Sequence, residues 1–152
     1  MPELVAARAS VVVCLATPEA LDTVFDGALR VAPDELLVLG PPDSAEMTAL
    51  DVSRRISGAD ADAVVLDVSD GWATWTLDGD GARDAFGYLS ELDLPEEGFV
   101  QGDVAHVPVK VVARPGGLHL LVPAVWGAYL HERILARCPS VTEREEPEDW
   151  SP

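Results

Sequence analysis

The sequence is short of positive charge. Lysine and arginine together number 10 against 27 aspartate and glutamate residues, which gives a formal net charge of -17 over 152 residues. Lys110 is the only lysine. A surface with this excess of negative charge repels nucleic acid and anionic lipid. We therefore predict that the chain binds neither nucleic acid nor a membrane.

Cysteines and long apolar segments are also scarce. The two cysteines, Cys14 and Cys138, lie far apart and form no C-x-x-C pair, which favours two buried free thiols over a disulfide. No apolar run approaches the roughly 18 residues that span a membrane, and the N-terminal residues lack the pattern of a secretory signal. We therefore expect a cytoplasmic protein.

The chain is nevertheless apolar enough to fold. Hydrophobic residues make up 48% of it, and a chain of this length buries about two thirds of the surface that it exposes when unfolded. Residues 140–152 are the exception, because acidic residues dominate them and such segments stay disordered. We predict a single domain over residues 1–139, followed by an acidic, flexible tail over residues 140–152.

Six segments have the apolar and β-branched composition of strands. They are residues 10–16, 34–40, 63–67, 72–77, 104–113 and 118–122. Four helices are predicted from start signals and apolar spacing. They begin at Pro18, Asp43, Asp80 and Pro123.

Apolar residues at helical spacing predict which side of three of these helices faces the core. In the first helix they are Leu21, Val24, Phe25 and Leu29. In the second, which starts with a capping box of Asp43 and Glu46, they are Met47, Leu50 and Ile56. In the last they are Val125, Trp126, Tyr129, Leu130 and Ile134.

The order of these elements indicates the fold class. It is strand, helix, strand, helix, followed twice by two strands and a helix. Hairpins that alternate with single helices indicate an α+β fold, with antiparallel sheets and helices packed on one face. The pattern of residues 63–90 recurs in residues 104–137. We therefore predict two loosely repeated strand-hairpin-helix halves, at about residues 1–90 and 91–139.

The segment DGDGARD, residues 78–84, is a candidate ligand loop. A calcium-binding loop needs a ligand at its fifth position and glycine at its sixth, but these positions hold Ala82 and Arg83. The third glycine of a dinucleotide-binding fingerprint would fall on Asp84. We therefore interpret the segment as a tight turn whose glycines relieve backbone strain and whose Asp80 caps the next helix.

The histidines do not match a metal-binding motif. His131 and the glutamate after it begin like the zinc motif H-E-x-x-H, but Leu135 takes the place of the second histidine. His106 and His119 are distant in sequence, and no cysteine completes a cluster with them. We interpret all three histidines as structural or surface residues.

Three further polar residues are candidates for chemistry. The hydroxyl of Ser69 is expected to bond the backbone of its turn rather than to attack a carbonyl. Arg114 and Lys110 either hold an anion or are solvated charges at strand ends, and the second interpretation is favoured. The chain has no G-x-S-x-G elbow. We predict no catalytic, cofactor-binding or metal-binding residue in this chain.

The tryptophans carry a different signal. Trp72 and Trp75 point to opposite faces of one predicted strand, because side chains alternate along a strand. One of them can fill the core, and the other must be covered by a helix layer or by a partner protein. Trp126 and Trp150 raise the same question.

Several short motifs resemble those of a known family in their order and spacing. They are Asp67-Val-Ser69, residues 79–83, Leu92-Asp-Leu94, residues 99–102, and Trp126 with Tyr129-Leu130. They lie within or beside the segments 32–41, 64–105 and 119–134. In these segments the chain resembles the gamma subunit of heterotetrameric sarcosine oxidase, a member of the folate-binding aminomethyltransferase-like group that includes the glycine cleavage T-protein.

The resemblance implies an accessory, assembly subunit without catalytic activity of its own, docked on the larger subunits of a flavoprotein amine oxidase complex. It also implies that FAD, FMN, NAD and tetrahydrofolate are bound only by the partner subunits. The chain lacks the extended middle and C-terminal regions that complete the folate pocket of a T-protein. The alternative is a stand-alone folate-binding protein of one-carbon metabolism, similar to an aminomethyltransferase.

Overall fold

The computed structural model describes residues 1–23 and 27–151. Within them, ten strands form two sheets and four α-helices pack against the sheets, which confirms the predicted α+β class. The strands are β1 Glu3–Arg8, β2 Ser10–Leu15, β3 Leu29–Ala32, β4 Glu35–Gly40, β5 Val64–Asp67, β6 Trp72–Asp78, β7 Gly98–Val104, β8 Val107–Arg114, β9 Gly117–Pro123 and β10 Thr142–Asp149. The helices are α1 Pro18–Asp22, α2 Ala45–Ile56, α3 Ala82–Gly87 and α4 Gly127–Arg137, and Ser69–Gly71 and Ala124–Trp126 are 3-10 turns. None of the helices in these residues is long and apolar enough to cross a membrane.

The chain divides into two compact units. The first unit comprises Met1–Ala7 and Asp70–Glu148, and the second comprises Arg8–Ser69 and Asp149–Pro152. This division does not fall at residue 90, where the sequence pattern suggested a boundary between halves. The single domain over residues 1–139 stays a prediction.

The first unit contains a six-stranded sheet with two helices on one face. The strand order is β10-β1-β6-β9-β8-β7, and the neighbours from β1 to β7 are antiparallel. Buried aliphatic side chains from the sheet meet those of α3 and α4 because β-strand side chains alternate between the two faces. The core includes Leu77, Leu118, Leu120, Phe86, Leu130 and Ile134.

The second unit contains a four-stranded antiparallel sheet in the order β3-β4-β2-β5. Helices α1 and α2 pack on one face of it. The core of this layer includes Cys14, Ala20, Leu21, Leu36, Val52 and Ile56. Both units therefore have the predicted arrangement of helices on one face of a sheet.

Strand β10 is the largest difference from the sequence-based expectation, because it occupies most of the segment that was expected to be a flexible tail. The amide of Thr142 donates to the carbonyl of Pro2 at 3.0 Å, and the amide of Trp150 donates to the carbonyl of Arg8 at 2.8 Å. These bonds show that β10 runs along β1 in the same direction. Pairing of this kind uses backbone groups, so an acidic edge strand can form it while its side chains stay in water.

Glu148 fixes β10 to the sheet through its side chain. Its carboxylate accepts hydrogen bonds from the Thr76 hydroxyl at 2.8 Å and from the Arg144 guanidinium at 2.6 Å. Burial raises the pKa of Glu148, but these hydrogen bonds and the charges of Arg144 and Arg114 outweigh that effect. The pKa therefore lies below the ordinary glutamate value of 4.5.

Three other strands also lie outside the predicted segments: β1, β3 and all of β7 except Val104. Leu29, expected on the inner side of the first helix, is a buried residue of β3. That helix ends at Asp22, and Val24 and Phe25 lie outside the described residues.

The first residue of α2 and the side of α2 that faces the core both differ from the sequence-based prediction. Helix α2 begins at Ala45 after Ser44, so Asp43, which has a φ of 67°, does not form the predicted capping box. Met47 and Leu50, expected in the core, are 77% and 53% exposed. Ile56 is in the core as predicted, and Val52 joins it in place of Met47 and Leu50, because the inner side of α2 is rotated from the one that the first apolar residues suggested.

Candidate functional site

The loop after β6 is held by the neighbouring β8–β9 hairpin. Asp78 ends β6, and its carboxylate binds the guanidinium of Arg114 at 2.7 and 2.9 Å. Gly117 lies opposite Asp78 in the register of β6 and β9, and a Cβ atom at Gly117 would overlap the Asp78 carboxylate. The first acid of the candidate ligand loop therefore belongs to a structural ion pair, and Arg114 is not a free anion ligand.

The glycines of this loop have a backbone role. Gly79 and Gly81 have φ angles of 103° and 87°, in the region that only glycine enters at little cost. The amide of Gly79 donates to the carbonyl of Gly116 at 2.9 Å. The predicted tight turn is confirmed, but the predicted cap is wrong, since Gly81 and not Asp80 is the N-cap of α3.

An open pocket of about 440 Å³ lies beside this turn. Arg83, Arg114 and two glutamates, Glu96 and Glu97, are among its lining residues. Arg83 donates to the carbonyls of Pro95 and Glu96 at 2.8 and 2.7 Å, and Arg114 is paired with an aspartate. An anionic ligand here would compete with these protein acceptors and would face two carboxylates.

A second open pocket, of about 510 Å³, brings together polar residues that the sequence analysis did not connect. Its lining includes Tyr88, Ser90, His106 and Arg137. The hydroxyl of Ser90 donates to the backbone carbonyl of Asp103 at 2.7 Å rather than to an imidazole. His106 sits in the β7–β8 turn with a φ of 70°. The pocket therefore contains a serine and a histidine without the hydrogen bond that activates a nucleophile.

The three histidines lie on different elements. His106 is in a turn, His119 is a buried residue of β9, and His131 is on α4. The His131 imidazole bonds the Glu143 carboxylate at 2.7 Å and stacks on the Trp75 indole, with ring centroids 4.8 Å apart. In the part of the chain that the structure describes, no group of three or more His, Cys, Asp and Glu side chains is placed to hold a metal ion.

Ser69 and the two cysteines have structural environments. The Val11 amide donates to the Ser69 hydroxyl oxygen at 2.9 Å, and that hydroxyl lies 2.6 Å from Asp67. The hydrogen bonds from the side chain and backbone of Ser69 lower the pKa of Asp67. Cys14 and Cys138 are free and buried, as predicted. Burial raises the pKa of both thiols, which makes them weak nucleophiles.

Trp72 and Trp75 are covered in different ways. Trp75 packs against the core of the first unit and under α4. Trp72 lies on the opposite face of β6, and the Lys110 ammonium is 5.0 Å from its ring centroid. Lys110 is therefore engaged with an aromatic ring, in a cation–π geometry.

The start of α4 exposes large apolar side chains. Val125 is 80% exposed, Trp126 43% and Tyr129 37%. Apolar spacing predicted all three on the inner side of the last helix, together with Leu130 and Ile134. Only the last two are buried. Val125 and Trp126 lie in the 3-10 turn before α4, and Tyr129 lies on a different side of α4 from Leu130 and Ile134.

Comparisons with known proteins find this fold in solved structures but find no matching sequence among curated proteins. No protein-family model matches the chain, and no curated protein matches its sequence. One solved structure of similar fold is the heterotetrameric sarcosine oxidase from Corynebacterium sp. U-96 in complex with pyrrole 2-carboxylate. The two chains are 17% identical with a TM-score of 0.72, and the match covers 90% of this chain and 83% of that one.

A second solved structure of similar fold is the glycine cleavage system aminomethyltransferase T from Bartonella henselae. The TM-score is 0.67 at 14% identity, and the match covers 93% of this chain but 47% of that one. The chain thus spans about half the length of this aminomethyltransferase. The resemblance that the short motifs predicted is confirmed at the level of the fold: the chain folds like a chain of heterotetrameric sarcosine oxidase and like part of an aminomethyltransferase.

Proposed function

We propose that this chain is an accessory subunit that docks on the larger subunits of a flavoprotein amine oxidase complex and has no catalytic activity alone. The observation that carries the proposal is the extent of the structural match. The match covers most of both chains in the case of sarcosine oxidase, but less than half of the aminomethyltransferase. The likeness therefore favours a subunit of a sarcosine oxidase-like complex over an aminomethyltransferase.

The chemistry of the polar residues supports the same proposal. Arg83, Arg114, Ser69 and His131 bond to other parts of the chain. Their hydrogen bonds serve the fold. In the proposed complex the flavins, the nicotinamide dinucleotide and tetrahydrofolate are held by the partner subunits.

Co-expression tests the proposal. The chain would be produced together with the larger subunits of each flavoprotein amine oxidase encoded beside its gene, and with an unrelated flavoprotein as control. We expect co-elution in a fixed ratio during size-exclusion chromatography with light scattering, from the cognate oxidase only. A chain that elutes alone in every combination contradicts the proposal.

The second candidate is a stand-alone folate-binding protein. The observation that favours it is the aminomethyltransferase fold over 93% of this chain. Isothermal titration of the isolated chain with tetrahydrofolate separates the two candidates. Saturable heat supports the second candidate, and the absence of heat at millimolar ligand removes it.

A further inference from the structure

Tyr129, Arg133 and Arg137 follow one another along α4 at intervals of four residues, which places them on one side of the helix, and Trp126, in the turn just before α4, lies next to Tyr129. We call these four residues the α4 stripe. The rings of Trp126 and Tyr129 meet edge to face, with centroids 6.0 Å apart at 72°. The Arg133 guanidinium carbon lies 6.0 Å from the Tyr129 ring centroid. The stripe is therefore a preassembled row of aromatic and cationic groups.

The two arginines of the stripe lack carboxylate partners, as do Arg54 and Arg83 within the described residues. Five other arginines pair with carboxylates: Arg8, Arg30, Arg55, Arg114 and Arg144. Over residues 1–23 and 27–151, neither Arg133 nor Arg137 forms an ion pair. The Arg133 Nε is buried and has no hydrogen-bond acceptor among these residues. The two cations of the stripe thus lack carboxylates although the chain carries 27 acids.

Exposed Trp, Tyr and Arg side chains are the types that contribute most to protein-protein binding. From the stripe we infer the chemistry of its partner: the α4 stripe docks a surface of another protein that presents apolar side chains to Trp126 and Tyr129 and a carboxylate to Arg133. This inference rests on the proposed function, since the partner is a larger oxidase subunit. A second copy of this chain fits poorly, because two chains of charge -17 repel each other.

Helix α2 offers a matched control surface. Its outer side also exposes large apolar residues, Met47 and Leu50. Arg55 on that helix, however, pairs with Asp51 at 3.1 Å. The exposed Arg54 forms no ion pair within the described residues, but the exposed apolar residues of α2 are aliphatic, so no aromatic ring of this helix lies beside it. Exposure of apolar area alone therefore predicts equal binding by the two helices, whereas the inference predicts binding by α4 only.

Site-specific photo-crosslinking in the source organism tests the inference. The full chain would carry p-benzoylphenylalanine in place of Tyr129, or in place of Met47 as control, and crosslinked peptides would be identified by mass spectrometry. We expect one partner protein at position 129, crosslinked through a peptide that contains Asp or Glu, and none at position 47. No crosslink at position 129, a crosslink to a second copy of this chain, or equal crosslinking at both positions overturns the inference.

A second test measures binding to the purified partner after the charges of Arg133 and of the crosslinked partner carboxylate have been exchanged. Arg133→Glu is expected to weaken binding at least about tenfold, and replacement of the crosslinked partner carboxylate by lysine should restore it. Circular dichroism and the thermal midpoint confirm that the variant folds, and Arg133→Lys, which keeps the charge, serves as a second variant. Unchanged affinity of folded Arg133→Glu overturns the inference.

The two proposals fail separately. An oxidase complex that forms equally well with Arg133→Glu leaves the proposed function standing and removes the α4 stripe as its docking site. A carboxylate-bearing partner at position 129 that is not an oxidase subunit removes the proposed function and supports the chemistry inferred for the stripe.

Discussion

Helices α4 and α2 have the same relation to their sheets but different outer sides. Each lies on one face of a sheet and buries two aliphatic residues there, Leu130 and Ile134 in α4 and Val52 and Ile56 in α2. Toward solvent, α4 and the turn before it present aromatic rings beside arginines that form no ion pair in the described residues. Helix α2 presents aliphatic side chains, the Arg55–Asp51 ion pair and Arg54, with no aromatic ring. The inner sides therefore account for the fold of each unit, and the outer sides carry the difference on which the inferred docking site rests.

The largest loss of stability is expected from truncating the buried isoleucine that each of the two helices carries. Ile134→Ala and Ile56→Ala should each lower the free energy of unfolding by about 2–5 kcal/mol, because both side chains are fully buried and leave a cavity. Urea denaturation measures the loss, and amide hydrogen exchange locates it in α4 or in α2. A cost below about 1 kcal/mol at either position would break the equivalence of the two inner sides.

A smaller effect is expected at two glycines, Gly127 and Gly58, which differ in how closely neighbouring atoms approach them. A Cβ atom at Gly127 of α4 would lie 2.8 Å from the Ala73 Cβ, whereas one at Gly58, just after α2, would meet nothing within 4 Å. Gly127→Ala should cost about 1–2 kcal/mol, since overpacking outweighs the gain in helix propensity.

Gly58→Ala is the matched control for this substitution. It should leave the free energy of unfolding unchanged or raise it by up to about 1 kcal/mol. Thermal unfolding of both variants checks the difference. Equal destabilisation by the two substitutions would mean that the close approach of α4 to β6 is not what matters at Gly127.

Acid should affect the first unit through Glu148. The pKa of Glu148 is lower in the folded chain than its ordinary value of 4.5, so its contribution to stability is full above 4.5 and is lost as the pH falls through the folded pKa. Glu148→Gln should therefore destabilise the chain at neutral pH and reduce the loss of stability on acidification.

Urea denaturation at a series of pH values measures this dependence. The exposed Glu146, also in β10, provides the control Glu146→Gln, which removes the same charge without removing the bonds to Thr76 and Arg144. If Glu148→Gln and wild type lose stability in parallel below pH 4.5, Glu148 is not the group responsible.

The smallest effect is expected on the outer side of α2. Met47→Ala should change the free energy of unfolding by no more than about 0.5 kcal/mol, because the side chain is 77% exposed. Chemical denaturation checks this value. A loss above about 1 kcal/mol would show that the outer side of α2 is buried in solution and would end its use as a control for α4.

The elements that the sequence predicted correctly are those with a strong local pattern. The β-branched run that contains Cys14 became β2, and Leu130 with Ile134 became the inner side of α4, because apolar spacing reports burial directly. The helix ends were less predictable. Asp43 and Asp80 are good capping residues in isolation, but the backbone conformations adopted at Asp43 and Gly81 moved the caps by one residue.

The features that the sequence did not reveal depend on long-range pairing. Strand β10 has the composition of a disordered tail, and its order comes from pairing with β1 and from the bonds of Glu143 and Glu148 to His131 and Thr76. The α4 stripe was hidden for a related reason, since a tryptophan and a tyrosine at helical spacing are typical of a core. What identifies the stripe is the contact of the Trp126 and Tyr129 rings with each other and with Arg133, which forms no ion pair within the described residues; both are properties of the folded surface.

The pairing of β1 with β6 has a consequence for synthesis on the ribosome. Glu3 lies opposite Asp78 in the finished sheet, so about seventy residues must be translated before β1 meets its neighbour. Residues 8–69, which make up most of the second unit, are complete before that happens. Both edges of β1 therefore lack hydrogen-bonding partners while the nascent chain grows. Unpaired strand edges are prone to aggregate, so a chaperone would protect the chain most during this interval.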